Sequence, residues 1–236
     1  MCGRYVSPEQ AEIERFWHIG RHNSNPFPRR YNVPPTSMIP ILRLDRVTGE
    51  IELVTARWGL IPGWWKEAKP PRTSHNARSE EAAIKPMWKR PLAKSRCLVP
   101  ARGWYEWRQV ERTDPNTGEI VKVKQPHFFH LPDDRLFAFA GMMAMWKPAN
   151  DAEWQTSCAI LTREAIGPAA KVHERMPVVL SKSGEETWLD PRVVDPAQAM
   201  AGALEQSVIE LEHHPVDSRV NIAGNDDDGL VQKVND

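Results

Sequence analysis

Between Met38 and Leu161 the chain is a succession of short runs rich in β-branched and aromatic residues. They follow one another without the regular strand and helix alternation that a parallel sheet requires. Strand patterns fall at Met38 to Leu44 and Ile51 to Trp58, with Thr48-Gly49 as the turn between them, and at Cys97 to Val99 and Gly103 to Arg108. Further runs are Val121 to Lys124, Phe128 to Leu131, Leu136 to Ala144 and Thr156 to Leu161, with Asp114 to Glu119 as a surface hairpin tip. Helices are fewer. Ser7-Pro8-Glu9-Gln10 reads as a capping box with Pro at the first helical position, and Ile13, Phe16 and Trp17 share a face up to Gly20. A short helix is expected from Ser79 to Lys85, stopped by Pro86, and another from the Asp195-Pro196-Ala197-Gln198 cap to about Glu205. Residues 21 to 37, dense in Pro, Asn and Arg, read as an irregular, stiff loop. The fold class this predicts is α+β, a single domain on a largely antiparallel, barrel-like sheet with a few short helices.

With 236 residues, 41% of them hydrophobic, and no net charge, the chain can bury a core and has no composition suited to disorder or to a membrane span. No apolar run approaches ~18 residues and no signal peptide pattern opens the chain, so a cytoplasmic protein is expected. Asn225 to Asp228 begins a polar stretch, read as a C-terminal tail over residues 225–236 that follows a domain over residues 1–224. Cys97 and Cys158 lie in apolar strand runs and read as reduced core residues. No CxxC spacing is present, so neither a metal site nor any other cofactor is expected.

Cys2 is different. If Met1 is removed, Cys2 carries a free α-amine beside its own thiol, a 1,2-aminothiol. On an aldehyde the amine can form a Schiff base and the sulfur can close onto the same carbon, giving a thiazolidine ring that no internal cysteine can make. The amine titrates near ~8 and the thiol near ~8.5, so near neutral pH little of the sulfur is thiolate unless a cation such as Arg4 raises that fraction.

Zero net charge conceals a sorting. Residues 57–108 hold 12 Lys and Arg against 4 Glu, whereas residues 185–236 hold 3 basic against 12 acidic residues. Six of the ten tryptophans (Trp58, Trp64, Trp65, Trp88, Trp104 and Trp107) fall in the basic stretch. Cations interleaved with flat rings suit single-stranded nucleic acid, whose phosphates meet the cations and whose unpaired bases stack. Trp58, Trp104 and Trp107 fit strand positions of a core equally well. Trp64-Trp65, after Ile61-Pro62-Gly63, lie in a turn that cannot hide both rings.

Met1-Cys2-Gly3-Arg4-Tyr5, Arg30-Tyr31-Asn32-Val33-Pro34-Pro35-Thr36, Trp58-Gly59-Leu60-Ile61-Pro62-Gly63-Trp64-Trp65, Asn76-Ala77-Arg78-Ser79-Glu80, Gly103-Trp104-Tyr105-Glu106-Trp107, His173-Glu174-Arg175-Met176-Pro177 and His214-Pro215-Val216 follow in order. Together they resemble the SOS response-associated peptidase (SRAP) family over nearly the whole chain, to about Asn221. The resemblance implies a monomeric protein, associated with the nucleoid when on DNA, that captures abasic sites in single-stranded DNA as a thiazolidine crosslink. It also implies self-removal of Met1 and a weak lyase side reaction.

By the same resemblance Cys2 is the crosslinking residue, Asn76 orients it, Glu106 is the acid-base carboxylate and His173 lies at the pocket. Arg4, Arg78 and Arg175 would hold phosphates, Pro35, Trp64 and Trp65 would shape the strand path, and Asn32 and Thr162 would add DNA contacts. These residue types suit the chemistry. A histidine can move the proton that opens the cyclic sugar to its aldehyde, and a carboxyl held partly protonated between tryptophans can supply the proton that leaves with water. Two other readings stay open: class II glutamine amidotransferases also begin Met-Cys-Gly, and a non-covalent module for single-stranded nucleic acid would need only the Trp and Arg groove.

Overall fold

A computed structural model of the protein describes residues 2–20, 27–67, 70–72, 74–114, 116–147 and 153–234. Met1 and residues 21–26 lie outside the described residues. In chain order the elements begin with β1 (Tyr5–Ser7), α1 (Gln10–Phe16), β2 (Arg30–Val33), β3 (Met38–Leu44), β4 (Ile51–Trp58), β5 (Asn76–Arg78) and α2 (Ser79–Ala82). There follow α3 (Pro86–Lys94), β6 (Arg96–Ala101), β7 (Gly103–Thr113), β8 (Ile120–His130), β9 (Phe137–Trp146) and β10 (Gln155–Glu164). The last third adds β11 (Arg175–Pro177), β12 (Val179–Leu180), α4 (Lys182–Leu189), α5 (Pro196–Glu205) and β13 (Glu212–Pro215).

Five strands close on themselves. β3 pairs β4 and β6, β6 pairs β9, β9 pairs β10, and β10 returns to β4 through a parallel pairing of Ser157 with Arg57 and Cys158 with Trp58. Closure removes the exposed sheet edges that an open sheet of this size would present. A second, antiparallel sheet runs β13-β8-β7-β1-β2. The class is therefore α+β, as the succession of strand runs implied.

Side-chain alternation sorts the core. Along β10, Cys158 and Ile160 join one buried cluster and Ala159 and Leu161 the other. The first cluster links the barrel to the second sheet: the Tyr5 ring meets Trp58 edge-on at 5.5 Å, and Trp104 meets Phe139 at 5.9 Å and stacks on Phe129 at 5.0 Å. The other cluster packs the barrel against helices through Ile13, Trp88, Leu92 and Trp188. Cys97 and Cys158 are buried in the first cluster and free of disulfides.

Several local expectations are corrected. Pro86 does not stop a helix; it opens α3 at the first helical position, where its missing N–H costs nothing, and α2 ends at Ala82. The capping box lies two residues later than read, between Glu9 and Glu12, and Ser7 closes β1. The two runs around Pro126 are one strand, β8, because Pro126 needs no N–H there: it stands opposite Trp107 and its carbonyl accepts from the Val216 N–H. Within the expected loop, Arg30 to Val33 form β2 against β1.

Residues 225–234 are not a free tail. Leu230 is fully buried with Val216 and Val220 against Val6, Tyr105 and Phe128. The Asp226 carboxylate accepts from the Tyr31 and Asn32 backbone N–H groups. Apolar residues spaced among the acids, together with side-chain acceptors for a strand edge, override the polar composition. Leu230→Ala should therefore cost about 2 to 5 kcal/mol of stability in urea unfolding. A mobile tail would give no change.

Candidate active site at the chain start

β1 pairs with β7 through Tyr5 opposite Trp104 and Val6 opposite Gly103, and the Tyr105 N–H donates to the Arg4 carbonyl at 3.0 Å. Gly103 is required there, since a Cβ would stand 2.3 Å from both the Phe128 ring and the Phe129 carbonyl. These bonds seat the chain start in the core. Cys2 is fully buried. Asn76, carried on β5 beside Ile160 of β10, donates its Nδ2 to the Cys2 carbonyl at 2.7 Å. Its Oδ1 is buried without a hydrogen-bond partner among the described residues, an acceptor left open inside the site.

Glu106 is 3% exposed, and burial raises its carboxyl from 4.5 to about 7. The flanking tryptophans do not enclose it as expected. Period-two alternation puts Trp104 on its face, while Trp107 lies on the opposite face with Tyr105 and donates Nε1 to Asn221. Burial pushes the Cys2 thiol well above its ordinary range, and the Glu106 carboxylate raises it further. Arg4 does not activate the sulfur. Its guanidinium donates to Asn32 Oδ1 and to the Val220 carbonyl, at 3.1 and 3.2 Å.

His173 is half-buried, and its Nδ1 accepts the Arg175 N–H at 2.9 Å, which leaves the proton of the neutral ring on Nε2. Burial lowers its pKa, so the ring is neutral at pH 7 and presents the Nε2–H as a donor. Two further histidines escaped the sequence reading. His75, beside Asn76, is half-buried and lies edge-on to Trp58 at 5.9 Å. His127 stands opposite Glu106 on β8, 4% exposed, with Nδ1 at 3.1 Å from His213 Nδ1. Only the pairing register reveals His127, and the register was hidden while β8 was read as two runs.

The family model for SOS response associated peptidase (SRAP) matches residues 1–223. The chain belongs to the SRAP family. It is 31% identical to the abasic site processing protein YoqW of Bacillus subtilis, over 98% of this chain and 99% of that one. It is 32% identical to the abasic site processing protein HMCES of Gallus gallus, over 83% of this chain and 63% of that one. A solved structure from Bacteroides thetaiotaomicron shares the fold with a TM-score of 0.76 at 21% identity, covering 98% and 99% of the two chains. An SRAP match over nearly the whole length leaves the glutamine amidotransferase alternative without support.

The remaining candidates of the SRAP pattern are placed unequally. Trp64 is 56% exposed in a turn, its ring 5.9 Å from that of half-buried Trp65. Pro35 is half-buried at a turn where the Thr36 N–H donates to the Trp58 carbonyl at 2.7 Å, with Thr36 at φ 74°. Arg78 is exposed. Arg175 forms a two-pronged pair with Glu80 at 2.8 and 3.0 Å and also donates to the Thr162 carbonyl. Two candidates are not at the surface. Thr162 is fully buried beneath Arg175, and Asn32 is fully buried with its amide spent on the carbonyls of Val220, Ile222 and Asn225 at 3.0 to 3.1 Å.

The raised Glu106 pKa has a measurable sign. The folded state holds a proton on Glu106 that the unfolded state has released between 4.5 and about 7, so the stability this contributes is full below 4.5 and lost as pH rises through about 7. Glu106→Gln should remove that slope. The variant should gain on the order of 3 kcal/mol relative to wild type between pH 4.5 and pH 8, at about 1.36 kcal/mol per unit. Parallel pH profiles in urea unfolding would show instead that the carboxyl titrates normally.

Proposed function

We propose that the protein captures abasic sites in single-stranded DNA as a covalent thiazolidine through Cys2, once Met1 has been hydrolysed away. The observation that carries this reading is the Asn76 bond to the Cys2 carbonyl beside a carboxyl whose pKa is about 7. Relatives named abasic site processing proteins, matched along most of this chain, support it.

The chemistry follows from the protonation states. Opening of the cyclic sugar moves the anomeric hydroxyl proton, carried by water, to the ring oxygen as its bond to C1 breaks, and the Nε2–H of neutral His173 hydrogen-bonds that departing oxygen as the aldehyde is freed. The Cys2 α-amine adds to the aldehyde carbon, and protonated Glu106 gives its proton to the hydroxyl that leaves as water. Now a carboxylate, Glu106 accepts the thiol proton as sulfur bonds to the same carbon. One water is lost overall and Glu106 ends protonated, as it began. The neutral thiol suits this order, because the amine must react first and the sulfur needs its proton removed only at ring closure. Asn76 Oδ1 is the acceptor that can orient the amine N–H. The same site performs the removal of Met1, and a weak lyase reaction is the fate of a Schiff base that fails to close. The protein acts as a monomer on the strand, held by Arg4, Arg78 and Arg175 and by Trp64 and Trp65.

A tag retained before Cys2 turns the amine into an amide. It should abolish the adduct on a denaturing gel while leaving binding of the intact strand within about twofold, and an adduct from the blocked chain would sink the mechanism. Cys2→Ala with Met1 removed keeps the amine and loses the ring. It should give a covalent band only when borohydride is added, with strand cleavage in its absence. A stable band without reductant would assign the bond to another residue.

A further inference from the structure

A groove of about 1300 Å³ opens at the end of the barrel where β3 and β9 finish and β6 and β10 begin. Trp64 forms one side, and Trp154 and Met145, 60% and 47% exposed, line it with α3. Two exposed cations on α3, Arg90 and Lys94, face one another across a single turn, and exposed Arg46 joins them by donating to the Lys94 carbonyl. Like charges four residues apart weaken a helix by a few tenths of a kcal/mol. Lys94 at the helix C-terminus and Arg46 on its carbonyl are where a helix end favours cations, but Arg90, a turn earlier, is not. The acids of the groove offset them only in part: Glu52 is paired with Arg43 at 2.6 Å, and Asp45, which accepts the Val47 N–H within its own turn, sets one negative charge against three positive ones. A fourth arginine, Arg96, is turned inward to the carbonyls of Leu92 and Asp190.

Three exposed cations and two exposed indoles around one concavity match a strand of phosphates and unstacked bases better than an acidic peptide, which has no flat groups to stack. The position also fits. On β10, Asn76 is level with Ile160, whereas Trp146, which donates Nε1 to the Trp65 carbonyl, is level with Gln155. Five residues along a strand span ~16 Å. The Trp64–Trp65 turn thus stands at the groove end of β10, ~16 Å along the strand from the level of Asn76.

We infer that this groove is a second binding site for single-stranded DNA, which takes the strand flanking the captured residue on one side after it has passed Trp64. The inference rests on the proposed function for the identity of the strand. It adds a length and direction preference that the active site itself does not supply.

The test measures affinity in the full-length protein for undamaged and abasic strands. A short strand reaching no further than Trp64 is compared with strands extended by about ten nucleotides on one side or the other, within the ~4 to 16 nucleotides that such sites occupy. Extension on one side only should tighten binding at least tenfold and steepen the dependence on log salt, by ~0.7 for each added phosphate contact. The combined variant Arg90→Ala, Lys94→Ala, Trp154→Ala, all exposed positions, should lose that gain while binding and crosslinking the short strand as wild type does. Equal affinity for short and extended strands, a gain from both sides alike, or a gain that survives the triple variant would overturn the inference. So would polyglutamate that binds wild type tightly and the triple variant weakly while extension gives nothing, which would assign the groove to an acidic protein. Failure of the wild-type protein to crosslink the short abasic strand would defeat the covalent reading alone, because the extension effect is read equally on undamaged DNA.

Discussion

The withdrawal of the chain start from water governs the rest of the structure. A terminus is ordinarily the least ordered part of a domain; here Cys2 is fully buried where barrel and second sheet meet, tied by its own carbonyl to Asn76. Burial favours the neutral form of every acid in that space. It raises both the Glu106 carboxyl and the Cys2 thiol, and it lowers His173. The three groups thereby match the proposed chemistry: a carboxyl that can give and retake a proton near pH 7, a thiol that keeps its proton until ring closure, and a neutral histidine whose Nε2–H is a donor. No cation is needed to activate the sulfur, and Arg4 is accordingly engaged elsewhere.

Seating the terminus this deeply requires a clasp. β1 is three residues long and has partners on both sides, β7 and β2. β2 is held in turn by Asn32 and Asp226, which join it to residues 220–226. Bonds formed late in the chain thus fix the position of its second residue. Asn32 belongs to this clasp: a fully buried amide that holds three backbone carbonyls at once is worth more to the fold than to a ligand.

The fold was legible where period-two alternation is strong. Met38 to Leu44 and Ile51 to Trp58 are found with the bounds the pattern gives. It was illegible where proline has two meanings. Pro86 can end one helix or begin the next, and Pro126 can break a strand or occupy a position whose N–H is not needed; only the partner element decides. The C-terminal segment misled for a related reason, since Asp226, Asp227 and Asp228 look like a solvated run until a strand edge supplies two N–H groups to one of them. For the candidate site, the sequence motifs pointed to Cys2, Asn76, Glu106 and His173, but gave no sign of the engagement of Arg175 by Glu80 or the burial of Thr162. Those are properties of cross-strand register, which has no linear signature.

Charge balance within the fold bears on how a chain of zero net charge could hold a polyanion. The acids of the last third pair close to home: Asp190 with Arg192, Asp227 with Arg219 and Glu185 with Lys182, while Asp226 reaches Arg30. Among the described residues, no ion pair joins them to the basic stretch 57–108. Its own pairs reach Glu12, Glu81 and, through Arg175, Glu80. Neutralisation by ion pairs is thus local to each stretch, although folding brings Asp190 close to Arg96 and Asp226 close to Tyr105 of the basic stretch. The Arg175–Glu80 pair adds a condition. On the proposed function, a phosphate that takes Arg175 would first have to displace a carboxylate already holding it with two bonds, a competition that would disfavour weak, indiscriminate anions.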